Sequence, residues 1–304
     1  MKQTLVIGST VVDVLLSVPS LPRRQGEDIN VVSSQHSIGG CAYIVYKTLK
    51  LLGSPAMLCS PVGSGVYGRM VRERFEEEGL LPIASLDMEN GCCYCLVEPS
   101  GERTFLSHHG AEYLFSRSWM ENLDISLADS VYISGIDAEE PTGDEMVDFV
   151  SEHPALEAYF SPGPRLLQIP HERMRRILSR RNSRGKGPLL HLNEDEALRF
   201  SGKSSVEKAA EFLAEKTKNA VVVTLGRRGC YCLDGGKGQL VPGLPARVLD
   251  TVGAGDAHCG ALIAGLKRGM SLGEACSLAN QAGAAAVETR GAVLAAMPLV
   301  CSGL

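Results

Sequence analysis

The stretch Asp250-Thr251-Val252-Gly253-Ala254-Gly255-Asp256 holds residue types that could bind an anion and accept a proton. It follows an apolar, strand-like segment and leads into a segment with helical character. Its small residues allow a tight turn whose peptide N–H groups stay open, and N–H groups at a helix N-terminus favour an anion. A carboxylate beside such a site is well placed to act as a base, which makes Asp256 a candidate catalytic residue. The alternative is that Asp256 only caps the helix.

Two other glycine patterns could bind phosphate groups. Gly63-Ser64-Gly65-Val66-Tyr67-Gly68 fits the G-x-G-x-x-G pattern of dinucleotide-binding turns, and Asp87 lies near the distance expected for a ribose-binding carboxylate. That pattern normally forms the first strand–helix turn of its unit, whereas here an earlier strand and helix precede it. Gly202-Lys203-Ser204 resembles the end of a phosphate-binding P-loop, but Ala197 stands where that loop requires glycine. Both patterns are therefore weak candidates.

Apolar runs alternate with helix-like segments along most of the chain, which favours parallel strands joined by crossover helices. We expect an α/β fold with a doubly wound, mostly parallel sheet flanked by helices. Short strands within about 11–36 and 85–108 have no easy place in that sheet, and Pro99-Ser100-Gly101 is a hairpin signal. We predict that these two segments form a small β lid on a single domain of residues 1–304. The main strands are expected at 4–8, 56–60, 130–134, 156–160, 189–192 and 220–224, and helices at 68–78, 145–151, 206–216, 255–268 and 272–288.

The composition excludes some classes of partner. A net charge of −5 argues against a nucleic-acid binder, because affinity for the phosphate backbone requires a basic surface. No apolar run approaches the ~20 residues of a membrane span, so we expect no membrane partner. The ten cysteines include two clusters, and neither has the C-x-x-C spacing of zinc sites. We expect buried, reduced thiols and hence a cytoplasmic protein.

Taken together, the motifs resemble those of the ribokinase-like (PfkB) carbohydrate kinases. The stretch from Asp250 to Asp256 is similar to the family signature, in which two aspartates bracket a Gly/Ala-rich turn. Further similarities follow in chain order over nearly the whole sequence: Gly39-Gly40 before a helix, 62–68, the lid hairpin Gly101-Glu102-Arg103-Thr104-Phe105, Asn193-Glu194-Asp195-Glu196, and 224–229. The resemblance implies an enzyme that uses ATP and Mg²⁺.

The resemblance also implies a role for each matched position. Asp256 would accept the proton of the substrate hydroxyl, while the amides of Gly253, Ala254 and Gly255 would hold the charge on the transferring phosphoryl group. The substrate would lie near Asp13, which would accept hydrogen bonds from sugar hydroxyls, and near the glycine pair Gly39 and Gly40. The nucleotide would lie near Asn193, Thr224, Gly226, Gly229 and Asn280, with Glu196 holding Mg²⁺ through water. A monovalent cation, with K⁺ as the candidate, would be bound by Asp250, Val252, Ala286, Thr289 and Gly291.

The substrate half of the pattern departs from the family. Ile44 stands where the family usually has a sugar-binding asparagine, and Val11, Gly65 and Glu112 replace residues that are often Asn or Asp. A hydroxyl bound without a partner costs ~1–3 kcal/mol, so these changes disfavour hydroxyl-rich substrates. Tyr43 and His108-His109 could contact an aromatic substrate; equally, Tyr43 could pack within its helix and the histidines could face water.

Three functions remain open at this point. The leading one is ATP-dependent phosphorylation of a primary hydroxyl of a sugar or sugar derivative. A nucleoside kinase, with pseudouridine among its candidate substrates, is the alternative within the same family, and a non-catalytic ligand-binding regulator is the alternative outside enzymes. A homodimer formed through the lid is expected by analogy.

Overall fold

The main sheet has eight strands, and the sequence analysis predicted six of them. The computed structural model describes residues 2–100, 102–121, 123–289, 291, 293–294 and 296. Neighbouring strands are parallel from one edge to the sixth strand, and an antiparallel hairpin completes the other edge. In spatial order the strands are β4 (Ala56–Cys59), β1 (Gln3–Ile7), β9 (Ala128–Ser134), β10 (Glu157–Ser161), β11 (Leu189–Asn193), β12 (Val221–Thr224), β13 (Gly229–Asp234) and β14 (Lys237–Pro242).

Helices cover both faces of this sheet. Because successive strand residues point to opposite faces, Val6 enters one core while Leu5 and Ile7 enter the other. The two faces are both buried, which explains the nearly continuous apolar runs of the strands and confirms the predicted fold class. The helices are α1 (Cys41–Leu51), α2 (Gly65–Glu78), α3 (Gly135–Glu139), α4 (Gly143–Glu152), α5 (His171–Ser179), α6 (Glu194–Ser201), α7 (Val206–Thr217), α8 (Ala254–Lys267) and α9 (Leu272–Val287).

Helix α8 is the central helix of its layer and carries the candidate catalytic stretch at its N-terminus. Its residues from Ala257 to Gly265 are all buried. A Cβ on Gly260 would lie 2.8 Å from Thr48 of α1, and a Cβ on Gly265 would lie 2.9 Å from Ala275 of α9. These close approaches require small residues, and they hold the middle and the last part of α8 against α1 and α9.

A separate four-stranded sheet forms the lid, with the order β3 (Ser33–Gly39), β2 (Val11–Ser17), β7 (Cys92–Val97) and β8 (Arg103–His108). Asp13 is paired with Ser37 and Cys93, and Leu15 with Cys95, which in turn pairs with Phe105. Residues directly opposite one another share a face, so these side chains lie on one face of the lid.

The opposite face of the lid packs against the body. It includes Val12 and Val14, which belong to the same buried core as Val71 and Phe75 of α2. The strand β6 (Ser85–Glu89), which the sequence analysis placed with the lid, pairs instead with β5 (Val62–Ser64) in a two-stranded sheet. Among the described helices, none has both the length and the apolar character needed to cross a bilayer.

Candidate active site

The start of α8 presents open peptide groups. Gly253 is the N-cap residue and has φ of 74°, a left-handed conformation that favours glycine. Its carbonyl accepts the N–H of Ala257 at 2.8 Å, which begins the helix. The first N–H groups of a helix have no partner within it. Those of Gly253 and Gly255 make no hydrogen bond with another described residue, whereas that of Ala254 donates to the Thr251 carbonyl at 3.4 Å. A Cβ on Gly255 would meet no atom within 4 Å, so the space before these amides is open.

Asp256 lies at the third position of α8 and faces the same space. Burial raises the pKa of its carboxyl group to about 6, and the carboxylates of Glu196 and Asp137 add to the rise. The Cys41 thiol, at the first position of α1, interacts with the Asp256 carboxyl group and lowers this pKa. Asp256 is therefore ionised at neutral pH, yet basic enough to take a proton from a nearby hydroxyl group.

Two cavities meet at this point. The first, which we call the Asp256 cavity, has a volume of about 170 Å³. The second, the Asn280 cavity, has a volume of about 290 Å³. Thr224 and Gly255 line both of them. A molecule in each cavity could thus react across the start of α8. The polar residues of the Asp256 cavity include Cys41, Ser134, Ser161, His191, Asn193, Glu196 and Asp256.

The Asn280 cavity lies between the end of the main sheet, α8 and α9. Gly226 and Gly229, both predicted to approach a nucleotide, line it. Gly229 has φ of 93°, and a Cβ there would lie 2.1 Å from the Val241 carbonyl oxygen. Only glycine fits that position, because β13 begins there directly against β14.

Asn280 lines the second cavity, but its polar atoms are already used. Its amide nitrogen donates to the carbonyls of Val241 and Pro242, each at 3.1 Å. Its oxygen is 3.1 Å from His258 Nε2. The expected contact with a nucleotide is therefore limited to packing, and Asn280 holds the cavity wall in place.

A chain of buried hydrogen bonds connects the two cavities. His191, which lines the Asp256 cavity, has its Nε2 2.9 Å from Nδ1 of His258, which lines the Asn280 cavity. Since Asn280 uses its nitrogen as a donor twice, its oxygen accepts from His258 Nε2. In a neutral His258 the Nδ1 atom then accepts from His191 Nε2. Burial and the neighbouring His258 lower the pKa of His191 well below its usual value, so His191 is neutral.

Asn193 and Glu196 form a capping box at the start of α6. Glu196 accepts from the Asn193 backbone N–H at 3.0 Å and from the Asn193 side chain at 2.7 Å. Both residues line the Asp256 cavity. The carboxylates of Glu196 and Asp256 face it together, and Glu196 raises the pKa of Asp256. Two carboxylates that repel each other across a cavity fit a hard cation such as Mg²⁺, which binds oxygen ligands and keeps several waters.

Asp13 belongs to a cluster of charges beneath the lid. Burial raises the pKa of Asp13 to about 7, and the carboxylates of Asp250 and Asp256 raise it further, whereas Arg103 opposes the rise. A small cavity of about 10 Å³ separates Asp13 from Asp250, with Phe105 in its wall. The structure thus brings the predicted sugar-binding carboxylate near the predicted base.

The residues expected around a monovalent cation also converge. The Asp250 carboxylate accepts the backbone N–H of Val252 at 2.8 Å and that of Gly291 at 3.0 Å. The carbonyl of Ala286, at the end of α9, accepts the N–H of Thr289 at 3.0 Å. However, Arg103 Nη1 lies 2.5 Å from Asp250 Oδ1, which the sequence analysis did not anticipate.

Several expected substrate residues have structural roles instead. Tyr43 is 1% exposed and its hydroxyl donates to Glu78 at 2.7 Å, so it packs in the core and the substrate role proposed for it is wrong. Gly40 has φ of 96°, and a Cβ there would lie 2.6 Å from the Ser9 carbonyl oxygen, so it allows α1 to start against the β1–β2 turn. Gly39 ends β3 and, like Gly40, lines neither of the two cavities.

Three of the four departures from the family pattern fall on buried positions, and Gly65 is half-buried. Ile44 and Val11 are 2% and 3% exposed. Glu112 is buried and accepts the N–H groups of Gly91 and Gly110, which holds the end of the lid hairpin. His109 lies 2.5 Å from Glu140 and stacks on Tyr113. None of these side chains lines the two cavities.

Sequence reasoning missed four residues that the structure places at the site. Cys41 and Ser161 line the Asp256 cavity, as does His191, and Arg103 reaches Asp250. Cys41 could have been found because it follows the glycine pair directly. His191 interrupts the apolar strand Leu189–Asn193 with a polar residue, which is a usable signal for a buried functional group.

Comparisons with known proteins identify the family and the fold. A family model described as pfkB family carbohydrate kinase matches residues 1–298. The chain is 34% identical over 295 residues to the uncharacterized sugar kinase YegV of Escherichia coli (strain K12), covering 95% of this chain and 90% of that protein. Ribokinase from Thermotoga maritima superposes with a TM-score of 0.80 at 22% identity, covering 96% and 95% of the two chains. A Burkholderia thailandensis nucleoside kinase, in complex with inosine, gives 0.76 at 21% identity, covering 95% and 91%.

Proposed function

This chain belongs to the pfkB family of carbohydrate kinases, and on that premise we propose that it transfers the terminal phosphoryl group of ATP to a primary hydroxyl of a sugar or sugar derivative. The observation that carries the proposal is the position of Asp256. Its carboxylate lies beside the open amides of α8, where the Asp256 and Asn280 cavities meet. A base and an anion site at the junction of two cavities are what an in-line transfer requires.

In the proposed reaction the nucleotide occupies the Asn280 cavity and the acceptor lies near Asp256, under Asp13. Asp256 takes the hydroxyl proton as the oxygen attacks the terminal phosphorus. The amides of Gly253, Ala254 and Gly255 hold the charge that develops on the phosphoryl oxygens. Bound Mg²⁺ would neutralise phosphate charge, and Asn193 and Glu196 would hold it through water.

Replacement of the base tests the proposal. A screen of ADP release with Mg²⁺ across sugars, sugar acids and nucleosides identifies the substrate for the wild-type protein. Asp256→Asn should then lower turnover by ~10²–10⁴-fold, the usual contribution of a general base, while ATP still binds in calorimetry. Asp87→Asn, at an exposed position in β6, is the matched control and should keep full turnover. An Asp256→Asn enzyme with unchanged turnover would contradict the proposal and leave a ligand-binding regulator as the better interpretation.

A nucleoside acceptor is the second candidate, and one observation favours it. Phe105 is 51% exposed on the lid face that carries Asp13, and Leu15 and Cys95 are its neighbours in that row. An exposed aromatic ring on an apolar patch can stack on the flat face of a nucleobase, whereas a sugar alone offers no such face. Phe105→Ala should raise KM for a nucleoside at least ~5-fold, given ~1–3 kcal/mol for base stacking. An unchanged KM would favour the simple sugar.

Two further features complete the proposal. We place the protein in the cytoplasm, since nine of its cysteines lie in the described part of the chain and all nine are free thiols. We also propose that the chain forms one domain with its lid and that two copies associate through that lid.

A further inference from the structure

The carboxylate of Asp250 has partners from this chain on both of its oxygens. Arg103 Nη1 lies 2.5 Å from its Oδ1 atom, and the two side chains are 11% and 2% exposed. The same oxygen accepts the N–H of Val252, and the Oδ2 atom accepts that of Gly291. Each oxygen of the expected cation ligand therefore already has a partner in this chain, and Oδ1 has two.

The neighbouring carbonyls are used as well. The Val287 carbonyl accepts the N–H groups of Leu249 and Asp250 at 2.7 and 3.1 Å, and the Ala286 carbonyl accepts that of Thr289. A cation site of this kind needs free oxygen atoms pointing at one centre. Of the ligand set implied by the family resemblance, the Asp250 carboxylate and the Ala286 carbonyl already have partners, and the fixed positive charge of Arg103 beside that carboxylate disfavours a second cation there.

The local charges explain why a positive group is needed. Asp13, Asp250 and Asp256 lie close enough for the latter two to raise the pKa of Asp13. Arg103 is a nearby positive charge that acts in the opposite direction. Arg103 is also permanently charged and belongs to β8 of the lid. Arg103 thus places a positive charge beside Asp250, in the loop that leads into Gly253. A bound metal ion would otherwise supply that charge.

We infer that the Arg103 guanidinium is the resident cation of Asp250, in place of a monovalent metal ion, and that this protein is indifferent to K⁺. This goes beyond the proposed reaction, since it concerns how the loop before α8 is stabilised. It also ties the lid to that loop, because the charge comes from a lid strand.

Thermal unfolding tests the inference without any need for turnover. Melting temperatures are measured with K⁺, Na⁺ or choline as the only monovalent cation at equal ionic strength, so that general screening is the same. The wild-type protein should melt at the same temperature in all three. Arg103→Met removes the guanidinium and should make melting K⁺-sensitive, with a rise of about 2 °C or more over choline, because a ligand that binds only the folded state stabilises it.

Two variants serve as controls. Arg103→Lys keeps the charge and should stay indifferent to K⁺. Arg117→Met removes a pair with Glu152 in which both side chains are about half exposed, and it should gain no K⁺ response. Crystals soaked in Rb⁺ give a second readout: anomalous density beside Asp250 is expected in Arg103→Met and not in the wild type.

The opposing results are distinct. A K⁺-specific rise in the melting temperature of the wild-type protein, or Rb⁺ density beside its Asp250, would overturn the inference. A folded Arg103→Met protein that ignores K⁺ would overturn it too, because no cation position would then exist. If Arg103→Met does not fold, the wild-type measurements alone decide. A failure to find any phosphorylated substrate would count against the proposed function and leave these results unaffected.

Discussion

At the scale of single residues, the site depends on carboxylates whose pKa values are raised by burial. The pKa of Asp256 is about 6 and that of Asp13 about 7, and both groups lie close to further negative charges. Ionising a buried carboxyl group lowers stability, and proteins keep such groups where the ionised form has a function. We therefore expect their titration to be visible both in catalysis and in folding.

The pH dependence of kcat/KM should report Asp256. A base acts only when deprotonated, so kcat/KM should rise with pH through about 6 and approach a plateau above it. Glu196 raises this pKa by charge repulsion, so Glu196→Gln should move the midpoint to lower pH, whatever its effect on the maximal rate. A midpoint that moves upward, or stays fixed, would contradict the assignment of Asp256 as the titrating base.

The ionised form of Asp13 should lower the stability of the folded protein while it serves substrate binding. The pKa of Asp13 in the folded protein, about 7, lies above the ordinary aspartate pKa of 3.8, so its favourable contribution to stability is complete below pH 3.8 and is lost as pH rises through 7. Asp13→Asn should therefore raise the free energy of unfolding by about 1–3 kcal/mol at pH 8, and by much less at pH 4. Denaturant unfolding at the two pH values measures the difference. The same variant should bind the acceptor more weakly. Equal gains at both pH values would show that the carboxyl group is not the cause.

At the scale of elements, the sequence predicts what depends on local pattern. The buried strands β1, β4 and β9 to β12 have runs of apolar residues, and the helices α7, α8 and α9 lie within two residues of their expected bounds. Asp256 was predictable because all the residues of its turn are adjacent in the chain. Tyr43 was not, since its partner Glu78 lies on another helix. The pairing of β6 with β5 was equally hidden, because a short strand does not show which sheet it joins.

The hydrogen-bonded chain of His191, His258 and Asn280 could not be predicted from local sequence either, because its members come from three elements. His191 is held neutral when folded, with a lowered pKa, whereas an unfolded histidine takes a proton below about pH 6.5. The contribution of His191 to stability is thus present above pH 6.5 and lost as pH falls below it.

His191→Gln should reduce this loss of stability between pH 6.5 and 5. Thermal unfolding across that range measures it, with His171→Gln, at the exposed start of α5, as the control that should keep the wild-type slope. The variant should also be less stable at pH 7 by ~1–3 kcal/mol if His258 is left with an unpaired buried nitrogen. Parallel pH profiles for wild type and His191→Gln would mean that His191 is charged in the folded protein.

At the scale of the whole molecule, the lid has more exposed apolar surface than one copy of the chain needs. Val32 is 74% exposed where the chain enters β3, and Leu106 of β8 is 57% exposed. Exposed apolar patches of this kind mark contact surfaces, and the lid is the part that we propose to join two copies.

Sedimentation should then give about twice the 32.5 kDa of one chain. Leu106→Asp should shift the protein toward the single-chain mass, because a charge would be buried in the contact, whereas Leu127→Asp, 49% exposed before β9, should not. A wild-type protein that sediments at the single-chain mass at micromolar concentration would leave the apolar lid surface free to cover the acceptor alone.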